Sequence, residues 1–201
     1  MSRAVTAQIY ETHDPALTSQ VASANAAGCD FPIQNLPFGV FRRRGSRTAW
    51  SSGAAIGSQV LDLSWIAHDR LADAAADTAL HAAQGPTLNR FMALGRLAWT
   101  ALRRALSLGL RQGSAQRARW QRALVPQADI EMGLPAEVGD YTDFYTSIHH
   151  ATNVGRLFRP DNPLLPNYRW VPIGHHGRAS SLVVSGESFP RPQGQTLAPG
   201  A

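Results

Sequence analysis

The sequence contains no lysine and only one cysteine, Cys29, among its 201 residues. A single cysteine cannot form an intrachain disulfide, which argues against the disulfide-rich scaffolds of small secreted proteins. No apolar run approaches the ~20 residues of a membrane-spanning helix, and Glu11, His13 and Asp14 interrupt any signal-like apolar core near the N-terminus. We therefore expect a cytoplasmic protein with no membrane partner.

Charged residues are few, at 16%, and all 19 basic residues are arginine, which gives a formal net charge of +5. Seven of these arginines fall between Arg96 and Arg122, in a segment with helical spacing. Such a run could contact phosphates without sequence preference, but few aromatic residues lie among the arginines and no nucleic-acid motif accompanies them. We expect a solvated helix face and no nucleic-acid partner, with a basic nucleic-acid binder as an alternative.

The apolar content is ordinary, at 44%, and a chain of this length can bury a sizeable core. Residues 1–29 are small and polar without a sustained period, which is typical of an N-terminal arm. Between Phe38 and Leu63, short apolar runs alternate with turns that contain glycine and serine. This pattern predicts a small antiparallel sheet or barrel.

Helical spacing dominates the next part of the chain. Residues 65–83 are rich in alanine, and residues 115–124 predict a further helix that Pro126 ends. Between these segments, Thr87 is placed to cap one long helix. The apolar positions of that helix recur every three or four residues, at Leu88, Phe91, Gly95, Trp99, Leu102 and Leu106. We expect this face to lie in the core, with a domain boundary near residues 126–135.

Reactive side chains concentrate after Gly139, where proline and glycine are frequent and where Ser181–Ser185 predicts a strand. Asp143 precedes His150 by seven residues. A carboxylate and a histidine in one site could act as a hard-metal ligand and a general base. In an irregular segment, the same pair also fits a turn cap and a structural histidine. The spacing alone leaves both interpretations open.

Ordered blocks of sequence carry a resemblance to a known family. In the N-terminal half they are Asp30-Phe-Pro-Ile-Gln-Asn-Leu-Pro-Phe-Gly-Val-Phe, Leu61-Asp-Leu and Leu88-Asn-Arg-Phe-Met. Further along they are Asp140-Tyr-Thr-Asp-Phe-Tyr, His150-Ala-Thr-Asn-Val-Gly, Phe158-Arg, Leu165-Pro-Asn-Tyr, Val171-Pro-Ile-Gly, His176-Gly-Arg-Ala-Ser-Ser, Val184-Ser-Gly and Arg191-Pro-Gln-Gly-Gln. These blocks, from residue 30 to residue 195, resemble the fumarylacetoacetase family.

The resemblance implies a mostly β fold with helices, of the α+β class. Residues 30–130 would form an N-terminal SH3-like barrel domain with helices, preceded by the arm of residues 1–29. Residues 131–201 would be the incomplete start of a β-rich catalytic domain. The strands that should cover residues 182–184 are then expected to lie outside this sequence, so these apolar side chains are expected to be exposed.

The functional residues of the family carry over by position. Asp143 matches a metal-binding carboxylate, for calcium, magnesium or both, and His150 matches the base that activates water. Tyr145 and Arg159 match positions that contact substrate. At His175, another substrate-binding position, the relatives commonly have tyrosine. Imidazole is shorter than phenol and titrates near neutrality, so the fit to substrate differs there.

The activity that the resemblance implies is hydrolysis of a carbon–carbon bond. Its substrate is 4-fumarylacetoacetate, a β-diketo acid, and its products are fumarate and acetoacetate, in tyrosine and phenylalanine catabolism. The complete enzyme is expected to be a homodimer. Only Asp161 and Glu187 follow Asp143 as acidic residues, fewer than an oxygen-ligated metal site needs. We therefore expect this chain to be an inactive fragment, with a non-catalytic interaction module built on the barrel as the alternative.

Overall fold

A computed structural model of the protein describes residues 10–191 and 193–195. The chain divides into two compact units between Glu137 and Val138. Each unit combines helices with an antiparallel sheet. Within the described ranges, no helix has the length and apolar character to cross a bilayer.

The first unit contains a five-stranded antiparallel sheet. Its strands, in chain order, are β1 (Phe38–Arg43), β2 (Ser51–Ile56), β3 (Gln59–Asp62), β4 (Leu124–Pro126) and β5 (Ile130–Gly133). The strands lie side by side in the order β4-β3-β2-β1-β5. The prediction of short strands between Phe38 and Leu63 is confirmed by β1, β2 and β3. The two edge strands are joined by a 3-10 turn, Gln127–Asp129, and do not pair with each other in the described part of the chain, so the sheet does not close into a barrel.

The turn between β2 and β3 packs against the N-terminal segment. Gly57 in this turn has a φ of +55°, a conformation that favours glycine. A Cβ at this position would lie 2.3 Å from the Ser23 Oγ. The same hydroxyl accepts a hydrogen bond of 2.9 Å from the backbone N–H of Ser58. Val21 and Ala24 lie in the core beside this turn. The described part of the predicted arm, residues 10–29, therefore contributes to the packing of the first unit, whereas residues 1–9 lie outside the described residues.

Five helices complete the first unit. They are α1 (Leu63–Ile66), α2 (Ala74–Ala82), α3 (Asn89–Ala93), α4 (Arg96–Leu110) and α5 (Arg117–Trp120). Asp62 and Asp73 cap α1 and α2, because each carboxylate accepts hydrogen bonds from backbone N–H groups of the first turn. Helix α4 packs against α2 and buries Leu102, Leu106 and Leu110.

The prediction of one long helix after Thr87 is wrong, because the helix is interrupted at Gly95. This glycine has a φ of +81°, so it ends α3 and α4 begins at the next residue. The N-cap of α3 is Leu88, without a side-chain cap, so Thr87 does not cap the helix. Four residues of the predicted apolar face are buried in the core, namely Leu88, Phe91, Leu102 and Leu106. Trp99, on the same predicted face, is partly exposed.

The helix predicted for residues 115–124 is shorter than expected. It ends at Trp120 and continues as a 3-10 turn, Gln121–Ala123. The chain then enters β4, where Pro126 is the last residue of an edge strand. An edge strand tolerates proline because its missing N–H is not needed on the unpaired side.

Trp120 fixes the end of α5 against α4. A Cβ at Gly109 would lie 2.0 Å from the Trp120 Cζ3, so only glycine allows the indole to pack this closely. The Trp120 Nε1–H donates a hydrogen bond of 3.1 Å to the Asp69 Oδ2. The carboxylate of Asp69 also pairs with Arg119, so one acidic group satisfies both partners.

Several arginines of the segment between residues 96 and 122 make internal contacts. Arg103 donates to the Thr12 Oγ1 at 3.1 Å and to a backbone carbonyl, and burial lowers the pKa of its guanidinium. Arg104 pairs with Glu11 at 2.7 Å. The pKa of the Glu11 carboxyl is lowered from its usual value. The larger cause is a hydrogen bond with the backbone of Glu11 itself, and the second is the hydrogen bond with Arg104. This face is therefore not a uniform row of free charges.

The second unit contains a two-stranded sheet and one helix of several turns. These are β6 (Tyr141–Tyr145), α6 (Ile148–Phe158) and β7 (Ile173–Gly177). In the part that the structure describes, the six helices hold more residues than the seven strands. The expectation of helices combined with antiparallel strands is therefore confirmed as a mixed fold, whereas the expectation that strands predominate is wrong.

The strand predicted at Ser181–Ser185 does not form. Ser181 ends a 3-10 turn, and the backbone at Leu182 is extended, with φ −74° and ψ 124°. A strand also needs a hydrogen-bonding partner, and none of the described residues pairs with this segment. Val183 is exposed, while Leu182 and Val184 are half-buried.

Candidate functional site

The antiparallel pair β6–β7 places three of the predicted site residues on one face. Asp143 lies opposite His175, and Tyr145 lies opposite Ile173. Side chains alternate between the faces of a strand, and opposite residues of two strands share a face. Asp143, Tyr145 and His175 therefore project to the same side of the sheet, with Tyr145 half-buried and the other two exposed.

Helix α6 brings His150 to this face. The Ser147 Oγ caps the helix by accepting a hydrogen bond of 3.3 Å from the backbone N–H of His150. The ring of His150 lies 4.9 Å from the ring of Tyr145, centroid to centroid, at an interplanar angle of 46°. His149 makes no such aromatic contact among the described residues. The structure thus distinguishes the two adjacent histidines.

A pocket of about 250 Å³ opens between α6 and the strand ends. Tyr145 and Arg159, both predicted to contact substrate, line it together. The other lining residues are mostly apolar: Ala151, Val154, Gly155, Phe158, Pro163, Leu164, Leu165, Tyr168 and Ile173. An apolar pocket with a guanidinium and a phenol can hold a small acid by its carboxylate and cover its carbon chain.

Two residues that sequence reasoning did not single out shape this pocket. A Cβ at Gly155 would lie 2.0 Å from the backbone oxygen of Pro163, so this glycine allows the 163–168 segment to pack against α6. Tyr168 is buried and its hydroxyl donates to the backbone carbonyl of Tyr145. Both residues fall in the sequence blocks that carried the resemblance, but only the folded chain shows what they contact.

Asp143, the predicted metal ligand, does not belong to a cluster of ligands among the described residues. Across residues 10–191 and 193–195, no three His, Cys, Asp or Glu side chains are grouped closely enough to hold a metal ion. A calcium site needs six to eight oxygen ligands, and magnesium prefers near-octahedral oxygen coordination. Asp143 can supply one carboxylate to such a site, and the described residues do not complete it.

Comparison with known proteins identifies the family of the chain. The family model described as "Fumarylacetoacetase N-terminal" matches residues 34–135. The chain belongs to the fumarylacetoacetase family. It is 51% identical to the fumarylacetoacetase of Caenorhabditis elegans in an alignment over 181 residues that covers 86% of this chain. It is 49% identical to that of Rattus norvegicus and 47% identical to that of Homo sapiens, in each case over 175 residues and 85% of this chain.

The similarity to these relatives covers both units but only part of the relatives. The 181-residue match to the nematode protein is longer than the whole first unit, so it extends into the second. The same match covers 42% of the nematode relative, and the rat and human matches cover 41% of theirs. The chain therefore spans about two fifths of the length of these curated relatives.

Proposed function

We propose that this chain carries part of the active site of a fumarylacetoacetase, an enzyme that hydrolyses the carbon–carbon bond of 4-fumarylacetoacetate to fumarate and acetoacetate. The observation that carries the proposal is the match to named fumarylacetoacetases at about 50% identity, which extends into the second unit. The packing of His150 against Tyr145 beside a pocket that also contains Arg159 supports it. On this proposal the enzyme serves tyrosine and phenylalanine catabolism.

The proposed reaction assigns a task to each residue of the face. His150 takes a proton from water, and the hydroxide adds to a ketone carbon of the β-diketo acid. The bond to the acetoacetate half then breaks, and that half leaves as an enolate that is protonated to acetoacetate, while the other half becomes fumarate. Arg159 binds a substrate carboxylate through its planar guanidinium. Tyr145 and His175 orient the substrate from the strands.

The proposed enzyme uses a divalent cation, calcium or magnesium, and Asp143 supplies one of its carboxylate ligands. Asp143 is exposed and makes no ion pair with a described residue. The remaining oxygen ligands must come from polypeptide beyond the described residues, because these residues contain no ligand cluster. By itself this chain is then inactive.

Three further properties belong to the same proposal. We infer an SH3-like architecture for the first unit in which the sheet stays open, because its edge strands β4 and β5 are joined by a 3-10 turn but do not pair in the described part of the chain. A cytoplasmic location fits a chain with one cysteine. We also infer that the complete enzyme is a homodimer acting on a small molecule, with neither nucleic acid nor membrane as partner.

A chimera tests the proposed function directly. Residues 30–195 would replace the matched segment of the C. elegans fumarylacetoacetase, and hydrolysis of 4-fumarylacetoacetate would be followed by the loss of its diketone absorbance. We expect turnover, because the remaining part of the relative supplies the missing ligands. A folded chimera without turnover, beside an active parent enzyme, would contradict the proposal.

A further inference from the structure

The end of β1 and the loop that follows it carry the densest cluster of positive charge in the sequence. Four residues between positions 42 and 47 are arginine, namely Arg42, Arg43, Arg44 and Arg47, and no acidic residue lies among them. Arg42 is paired with Glu131 of β5. Arg43 and Arg47 are exposed and form no ion pair with a described residue. Two guanidinium groups of this cluster are therefore available to an acidic partner.

Ser46 follows two of these arginines at a defined spacing. The sequence Arg43-Arg44-Gly45-Ser46 places arginine three and two residues before the serine. No other serine or threonine of the sequence has arginine at both positions. Serine kinases that prefer basic substrates recognise this spacing, because acidic side chains of their cleft pair with the two guanidinium groups while the hydroxyl reaches the γ-phosphate of ATP.

The structure places Ser46 where such a cleft can reach it. Residues 44–50 lie between β1 and β2 and form neither helix nor strand. The backbone N–H of Ser46 donates to the Arg43 carbonyl at 3.0 Å, and the serine itself is half-buried. Ser107 provides the contrast, because Arg104 lies three residues before it but the serine is buried on α4. A loop can adopt the extended form that a kinase binds without losing hydrogen bonds of the sheet.

We propose that Ser46 is a phosphorylation site for a serine kinase of this basic specificity. The Ser46 Oγ attacks the γ-phosphorus of ATP, the bond between that phosphorus and the bridging oxygen of the β-phosphate breaks, and ADP leaves. The hydroxyl proton passes to the catalytic carboxylate of the kinase, and the product is a phosphate monoester. At pH 7 the phosphate adds a charge of about −1.5 to −2, which offsets nearly half of the positive charge of the four arginines.

The loop already holds groups that can bind a phosphate on Ser46. The backbone N–H of Thr48 donates to the Ser46 Oγ at 3.0 Å, and this hydroxyl donates to the Thr48 Oγ1 at 3.0 Å. Arg43 and Arg47 flank the serine in sequence, and arginine pairs with phosphate in bidentate fashion. Arg44 is engaged elsewhere, because its guanidinium donates to a backbone carbonyl of β5 at 2.9 Å. A kinase that reads Arg44 must displace this one contact.

Phosphorylation of the purified 201-residue chain tests the site. The chain would be incubated with magnesium, ATP and the catalytic subunit of cyclic AMP-dependent protein kinase, a probe with this basic specificity. Tandem mass spectrometry would locate the phosphate. We expect one phosphoryl group, on Ser46, and none there in Ser46→Ala. Arg43→Ala should lower kcat/KM for phosphorylation by about tenfold or more, because it removes one partner of a charge pair.

Arg47→Ala is the matched control, because Arg47 is exposed like Arg43 but follows the serine. This variant should not lower kcat/KM. A chain that takes up no phosphate at Ser46 would overturn the proposal, as would an equal loss for Arg43→Ala and Arg47→Ala. A synthetic peptide of residues 41–50 separates the sequence from the fold. If the peptide is phosphorylated and the folded chain is not, the loop hides Ser46 and the site is excluded.

Discussion

Asp143 and His175 lie directly opposite each other in the β6–β7 pair, on the face that also carries Tyr145. Opposite residues of an antiparallel pair have Cβ atoms roughly 4.5–5.5 Å apart. No hydrogen bond or ion pair joins these two side chains. The carboxylate is thus held at a fixed place on the sheet, next to an imidazole, without being neutralised by it.

The 201-residue chain should bind calcium weakly, with an affinity no better than millimolar, because one carboxylate cannot replace six to eight oxygen ligands. Isothermal titration calorimetry measures this directly. Asp143→Ala should leave the weak signal unchanged. Micromolar affinity that Asp143→Ala abolishes would show that the chain assembles a complete site by itself.

Gly155→Ala should destabilise the second unit. The added methyl would lie 2.0 Å from the backbone oxygen of Pro163, and relieving such an overlap typically costs about 1–3 kcal/mol. Chemical denaturation, followed by circular dichroism, measures the change. Asn153→Ala on the exposed side of the same helix is the control and should change stability little. Equal stability of Gly155→Ala and the wild type would mean that the 163–168 segment does not pack against α6 as described.

Tyr168→Phe should loosen the end of β6 while keeping the aromatic ring that lines the pocket. The substitution removes the hydroxyl that donates to the Tyr145 carbonyl, a hydrogen bond worth about 0.5–1.5 kcal/mol. In the chimera, a displaced Tyr145 should raise the KM for 4-fumarylacetoacetate more than it lowers kcat. Tyr141→Phe, on the exposed part of the same strand, should leave both constants unchanged. An unaltered KM for Tyr168→Phe would argue against this positioning role.

Gly109→Ala should destabilise the first unit, because its methyl would lie 2.0 Å from the indole of Trp120. Displacing the indole also strains its hydrogen bond to Asp69. We expect a loss of about 1–3 kcal/mol in the free energy of unfolding, measured by urea denaturation. Leu108→Ala is the neighbouring control, since this side chain is exposed. If Leu108→Ala lowers the free energy of unfolding as much as Gly109→Ala does, the destabilisation comes from the helix itself and not from the contact with Trp120.

Local signals in the sequence predicted the strands of the first unit and the apolar face of α4. The alternation of short apolar runs with glycine turns is a property of neighbouring residues, so β1, β2 and β3 could be read from it. The interruption at Gly95 could not be predicted from the sequence, because a glycine within a helical pattern is compatible with both a continuous helix and a positive φ. Only packing decides between the two, and here Gly95 has a φ of +81°.

The candidate site was predicted from position in a family pattern and not from geometry. Asp143, Tyr145 and His175 share a face because β6 pairs with β7, a pairing between distant segments that no local pattern encodes. Tyr168 was missed for the same reason, since a buried hydroxyl shows its partner only in the fold. The strand predicted at Ser181–Ser185 failed because apolar composition cannot supply a hydrogen-bonding partner.

On the proposed function His150 is the general base of the site, and the kinetics of two variants in the chimera distinguish this role from a packing role. His150→Ala should lower kcat about a hundredfold or more, as loss of a positioned general base typically does, with little change in the melting temperature. His149→Ala should retain near-parental kcat, because His149 lacks the contact with Tyr145. Equal losses of activity for both variants, accompanied by equal losses of stability, would contradict the claim and assign the pair of histidines to packing.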